Sequence, residues 1–272
     1  MSVPTLTDRP ALLRNRARAL AAGAADFLHR LAVAEVEERL KEVNRTFTAP
    51  ALVAGMAAPW QHLAPWTAVV PDDDRLALAP GAHDLVVHAM ALHWANDPVG
   101  QLIQCRRALR PDGLLIAVAF GGRTLAELRA CLAEAEVALT GGLSPRIAPM
   151  AEIRDLGALL QRAGLALPVA DSLVPSVTYA DAWALMRDLR AMGEANALAG
   201  RLRHPTRAAV LARAAGIYRA HHAEGERIAA TFELIFLTGW APAPGQQQPL
   251  RPGSALTRLA DALGTAETEG GD

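Results

Sequence analysis

Apolar residues fall into two patterns along the chain. Short continuous runs occur at 50–55 (PALVAG), 67–70 (TAVV), 84–89 (DLVVHA), 114–120 (LLIAVAF) and 231–237 (TFELIFL). Runs of this length and composition predict strands buried on both faces, as in a parallel sheet. Between them, apolar positions recur at helical spacing over 99–109, 124–139 and 151–163, the last closed by Gly164 as a C-terminal cap. Such alternation predicts an α/β protein with a doubly wound sheet. Two further helical stretches, 179–192 and 205–222, precede the last strand and predict an inserted helical layer. Ahead of the first strand, residues 9–40 read as one long amphipathic helical region with a basic start. A turn is expected at Pro111-Asp112-Gly113, and the segment 241–254, rich in Pro, Gln and Gly, reads as an extended linker. The expected organisation is an N-terminal helical region (1–48), a main domain (49–242) with a helical cap near 179–228, and a linker with a flexible tail (243–272).

Composition narrows the classes of partner. With 51% hydrophobic residues in a chain of 272, a large core is affordable. A net charge of -1 and 4% aromatic residues provide neither the field nor the stacking platform that nucleic acid requires. Cys105 and Cys131 lie inside helical patterns without neighbouring ligands and read as free thiols in a reduced, cytoplasmic setting. No apolar run approaches the length of a membrane span. Residues 9–25 contain four arginines and no acid, so peripheral membrane contact through this basic helix stands beside a structural role. Nothing in the chain matches a metal, P-loop or nucleophile-elbow motif.

The segment LHWANDP (92–98) places an imidazole and an indole where a buried strand gives way to a helix. Asn96 and Asp97 suit the cap of a helix entered through Pro98. Together with VVPDDDRLALAPGAHDLVV (69–87), RRALRPDGLLIAVAFGG (106–122) and TFELIFLTGW (231–240), it resembles the class I S-adenosylmethionine-dependent methyltransferases. The similarity is to the branch that contains malonyl-carrier-protein methyltransferases and mitochondrial complex I assembly factors, and it runs over residues 9–242.

This resemblance implies a Rossmann-like, seven-stranded sheet with LLIAVAF as the fifth strand and TFELIFL as the last, antiparallel one, the first half being shortened. It implies a ligand crevice at the carboxyl ends of the strands. Cofactor contacts would fall on Gly55, Asp72, Leu92, His93 and Trp94, with His93 the candidate general base. The turn Gly121-Gly122-Arg123, together with Arg146 and Tyr179 in the cap, would border a substrate pocket. The chain departs from the family pattern in two places. Its first loop, LVAGMAAPW, keeps Gly55 as the one glycine, and no Asp or Glu lies between Gly55 and Asp72 to hold a ribose. Each missing contact is worth about 1 to 3 kcal/mol, a loss of roughly tenfold to several thousandfold in affinity for the pair. Two functions follow from the resemblance: a methyltransferase-like protein modifying a protein or small-molecule acceptor in a complex I assembly-type role, or a non-catalytic assembly protein that has lost the cofactor.

Overall fold

Strand β1 (Pro50–Ala54) is buried along its whole length, as its uninterrupted apolar run requires. In the computed structural model, which describes residues 5–246, it is the second strand of a six-stranded sheet, one in from the edge. Parallel to it lie β2 (Ala68–Val70) at the edge and β3 (His83–Ala89) on the other side, followed by β4 (Leu109–Phe120). The register stacks Leu52 on Val87 and Val87 on Ile116. The remaining two strands, β5 (Ala166–Leu173) and β9 (Leu234–Trp240), complete the order β2-β1-β3-β4-β9-β5, with β9 antiparallel to both neighbours.

Six strands replace the seven implied by resemblance. A parallel crossover needs a dozen or more residues, usually carrying a helix. Residues 55–67 hold only one turn of 3-10 helix, Ala58–Trp60, before the chain enters β2 directly. No length remains for a further helix and strand. The expected turn at 111–113 is also different, because those residues belong to β4, with Asp112 in the left-handed region at φ 62°.

Helices cover both faces. One face carries α2 (Phe27–Val43), α4 (Ala126–Thr140), α6 (Ala182–Ala191) and α7 (Ala208–His221), through residues such as Val36, Leu132, Leu185 and Tyr218. The other carries α3 (Pro98–Ala108) and α5 (Ile153–Arg162), through Leu102, Cys105 and Leu160. A small sheet joins β6 (Thr178–Tyr179), ahead of α6, to β8 (Arg227–Ala229) and β7 (Ala223–Glu224), which follow α7, so the cap is mixed rather than purely helical.

The N-terminal region is two helices, not one. Helix α1 (Arg9–Ala21) is capped by Asp8, whose Oδ1 accepts from the Ala11 N–H at 3.1 Å, and the chain breaks before α2 at Gly23, where φ is +84°. Both helices belong to the same contact unit as the sheet, which ends at Pro242. The expected linker and tail lie, from residue 247 on, outside the described residues. No helix among those described is long and apolar enough to cross a membrane.

Candidate functional site

Three elements meet at the carboxyl end of β1. The chain leaves the strand at Gly55, and the loop after β2 carries Asp72, 1% exposed. Helix α1 delivers Arg16, whose side chain is 5% exposed. Arg16 Nη1 donates to Asp72 Oδ1 at 2.7 Å, while Arg9 Nη1 donates to Asp72 Oδ2 at 3.0 Å and Arg9 Nη2 to Asp73 Oδ1 at 3.1 Å. Burial alone would raise the Asp72 carboxyl, but the two guanidinium groups outweigh it and hold it down at about 2.

Arg16 is packed as tightly as it is paired. A Cβ added to Gly55 would overlap the Arg16 guanidinium, and one added to Gly193, at φ +79°, would lie 3.1 Å from Arg16 Cγ. From below, Gln101 Nε2 donates to the carbonyls of Asp72 (3.2 Å) and Asp73 (3.0 Å) and so fixes the acidic loop. Its Oε1 can only accept, so His88 Nε2, 2.8 Å away, carries the proton. Burial pushes the His88 ionisation down, and the ring is neutral.

The segment 92–98 forms a one-turn 3-10 helix at Leu92–Trp94, then the entry to α3. Leu92 is buried apolar packing. Asp97 caps α3 as expected, accepting from the Gly100 N–H at 2.8 Å. Asn96 does something else: its Oδ1 accepts from the N–H groups of Leu6 and Thr7, both at 2.9 Å, and anchors the chain ahead of α1. Trp94 Nε1 donates to Glu194 Oε2 at 2.6 Å, and His93 Nε2 faces the same oxygen at 3.2 Å. Burial opposes ionisation of Glu194, yet the neighbouring His93 pulls its carboxyl down. The His93 ring packs at a tilt against Phe120, with centroids 4.8 Å apart and the ring planes at 55°. His93 therefore reaches a ligand space through Glu194 rather than directly.

That space is a cavity of about 410 Å³ between the carboxyl end of the sheet and the cap. Phe120, Leu128, Met186, Leu189 and Phe232 form the apolar part of its wall, Arg190 and Arg201 line it as well, and Glu194 faces it. Arg146 lines it too, held by Glu136 at 2.9 and 2.7 Å and donating to Thr206 Oγ1 at 2.8 Å. Bonds from Arg146 above all hold the Glu136 carboxyl down at about 2.

Of the five expected pocket residues, the structure brings Arg146 to the cavity wall and leaves four elsewhere, while Trp94, expected as a cofactor contact, lines the cavity instead. A Cβ on Gly121 would meet Glu233, one on Gly122 would meet Glu152, and the Arg123 N–H donates to Glu233 Oε2 at 3.0 Å while its side chain faces solvent. These three residues shape a turn locked onto Glu233. Tyr179 is buried, donating to Asp188 Oδ2 at 2.7 Å, and burial followed by that carboxylate pushes its ionisation up. Arg9, Arg16 and Glu194 were not singled out by sequence. The arginines belong to a run that reads as a solvated basic face, and Glu194 lies outside the blocks that carry the resemblance, just after the helical stretch 179–192.

A mostly parallel sheet with an antiparallel strand inserted beside the edge, a crevice at its carboxyl ends and a cap over a cavity define the class I methyltransferase architecture. The Methyltransferase domain family matches residues 34–117. Together with the relatives below, this match supports a class I S-adenosylmethionine-dependent methyltransferase-like chain. It is 38% identical to the mitochondrial arginine-hydroxylase NDUFAF5 of Dictyostelium discoideum over 67% of this chain and 42% of that protein. It is 36% identical to a malonyl-[acyl-carrier protein] O-methyltransferase of Laribacter hongkongensis over 68% and 60%. The YcgJ protein of Bacillus subtilis overlays with a TM-score of 0.49 at 10% identity, covering 78% of this chain and 98% of that one. The chain thus spans about two fifths to three fifths of the length of these curated relatives.

The superfamily uses S-adenosylmethionine, and the residues of this crevice do not fit that ligand. The backbone at Gly55 is covered by Arg16, both oxygens of Asp72 are engaged by arginines, and the link to β2 supplies no carboxylate for a ribose. Met56 and Trp60, which follow Gly55, are buried at 5% and 0% exposure, and Trp60 Nε1 donates to His29 Nδ1 at 3.0 Å.

Proposed function

We propose that this chain is a methyltransferase-like protein with a respiratory complex I assembly-type role, and that it engages its acceptor, a side chain of a protein partner, in the cavity between sheet and cap. The observation that carries this reading is the cavity itself. It has room for one extended side chain, an apolar stretch of wall for its stem and one half-buried, ionised carboxylate, Glu194, oriented by Trp94 and His93 to meet a polar head. Similarity to NDUFAF5 supports the assembly role and a protein acceptor, and similarity to the malonyl-carrier-protein enzyme keeps a small carrier-bound acceptor as the second reading. His93 acts here as a positioning residue for Glu194.

The reading also places the protein in the cytoplasm, in keeping with two buried free thiols. Membrane contact through the basic helix has weak support, because Arg9 and Arg16 point inward to Asp72 and leave Arg14 and Arg18 on the exposed face.

The test is complementation of cells that lack their own member of the assembly-factor family, read as complex I content and NADH dehydrogenase activity. The wild-type chain restores both, while Glu194→Gln and a Leu202→Trp change, which adds bulk at a cavity-lining residue that is 39% exposed, restore neither although both variants fold. Full restoration by these variants would remove the cavity from the function.

A further inference from the structure

We infer that the crevice at the end of β1 is filled by the protein's own first helix, and that the intact chain excludes adenosyl ligands from it. Arg16 crosses from α1 between Gly55 and Gly193 and lays its guanidinium on the Gly55 backbone, the surface that a ligand at the end of β1 has to approach. Asp72 pairs with it at 2.7 Å and with Arg9 at 3.0 Å, so both oxygens of this buried acid are engaged. The crevice is occupied rather than open.

Helix α1 is also not a loosely docked lid. Ahead of it, the Asp8 N–H donates to the Ala197 carbonyl at 2.8 Å, and the Ala199 N–H donates to the Leu6 carbonyl at 2.8 Å. Within it, Asn15 Nδ2 donates to the Ala195 carbonyl at 2.9 Å. The Asp8 carboxylate takes Arg201 at 3.0 Å and Arg203 at 2.7 Å. Leu12, fully buried, packs in a cluster with Trp94, Ala197 and Leu198. To admit a nucleoside, the chain has to give up these bonds together with a buried ion pair, and the other wall, built on Trp60, has its own indole bond to His29. Occupation of the crevice leaves the cap cavity, on the far side of Trp94 and Glu194, as the space open to a ligand.

Two measurements on the full chain test this. Titration calorimetry and thermal shift with S-adenosylhomocysteine are expected to show no heat and no stabilisation at millimolar ligand. Modification by an arginine-selective dicarbonyl, mapped by peptide mass spectrometry, is expected to spare Arg9 and Arg16 and to label exposed Arg14 and Arg18. A micromolar dissociation constant, or labelling of Arg16 as fast as Arg18, overturns the inference. Neither result bears on the cavity, whose role stands or falls with the Glu194 and Leu202 variants.

Discussion

Replacing Asp72 by Asn removes the carboxylate that is hydrogen-bonded to Arg16. The Asp72 carboxyl is held down from 3.8 to about 2, and a difference of that size contributes about 2 kcal/mol to folding at neutral pH. Removing one member of a buried pair and stranding the other costs more, about 3 to 5 kcal/mol. Asn keeps a carbonyl acceptor and Arg9 keeps Asp73, so the expected loss lies between, at about 2 to 3 kcal/mol. Urea unfolding at neutral pH measures it. The same experiment in acid supplies a second signature. Because the folded carboxyl is depressed, its contribution is complete above about 4 and disappears as the pH falls through about 2, so the wild type shows an acid limb there that Asp72→Asn lacks. A loss under about 0.5 kcal/mol with an unchanged acid limb would mean that Arg16 is not seated on Asp72, because surface pairs contribute only that much.

Three further outcomes follow from the same contacts. Gly55→Ala places a methyl group on the Arg16 guanidinium and is expected to cost about 1 to 3 kcal/mol; in an Arg16→Ala background the cost should shrink toward zero, and strict additivity in the double-mutant cycle would contradict the packing. Burial holds the neutral His29 ring down at about 4 against an ordinary 6.5 while it accepts from Trp60. Between those values the unfolded chain binds a proton that the folded chain refuses, so stability is full above about 6.5 and falls by about 3 kcal/mol as the pH drops through about 4; His29→Gln should flatten that slope, and identical slopes would refute the assignment. Asn96→Ala strands two N–H groups and should cost about 1 to 3 kcal/mol while raising hydrogen exchange at Leu6 and Thr7.

Much of the sheet was legible in the chain. Strands β1, β3 and β4 are continuous Val, Leu and Ile runs because they are covered by helices on both faces, and each lies within two residues or so of its expected place except where β4 takes in 109–113. Strand β5 was missed, since it is an edge strand with Pro168, Asp171 and Ser172 and a half-buried pattern. The last strand starts at Leu234 rather than Thr231, because Thr231 and Glu233 are taken by side-chain bonds to Glu127 and Thr124. The break at Gly23 hid inside a helical period that continues on both sides.

Sequence by itself determined the class of fold, the loss of length after β1 and the missing ribose acid, all of which depend on residue order and local pattern. It could not determine what fills the crevice. Arg16 and Asp72 are separated by 56 positions, and an arginine in a basic helix reads as solvated until its partner is known. Glu194 reads as an ordinary surface acid until the indole of Trp94, 100 positions away, is found against it. Burial of charge is a property of pairs brought together by the sheet and the cap, and only the tertiary structure decides which pairs meet.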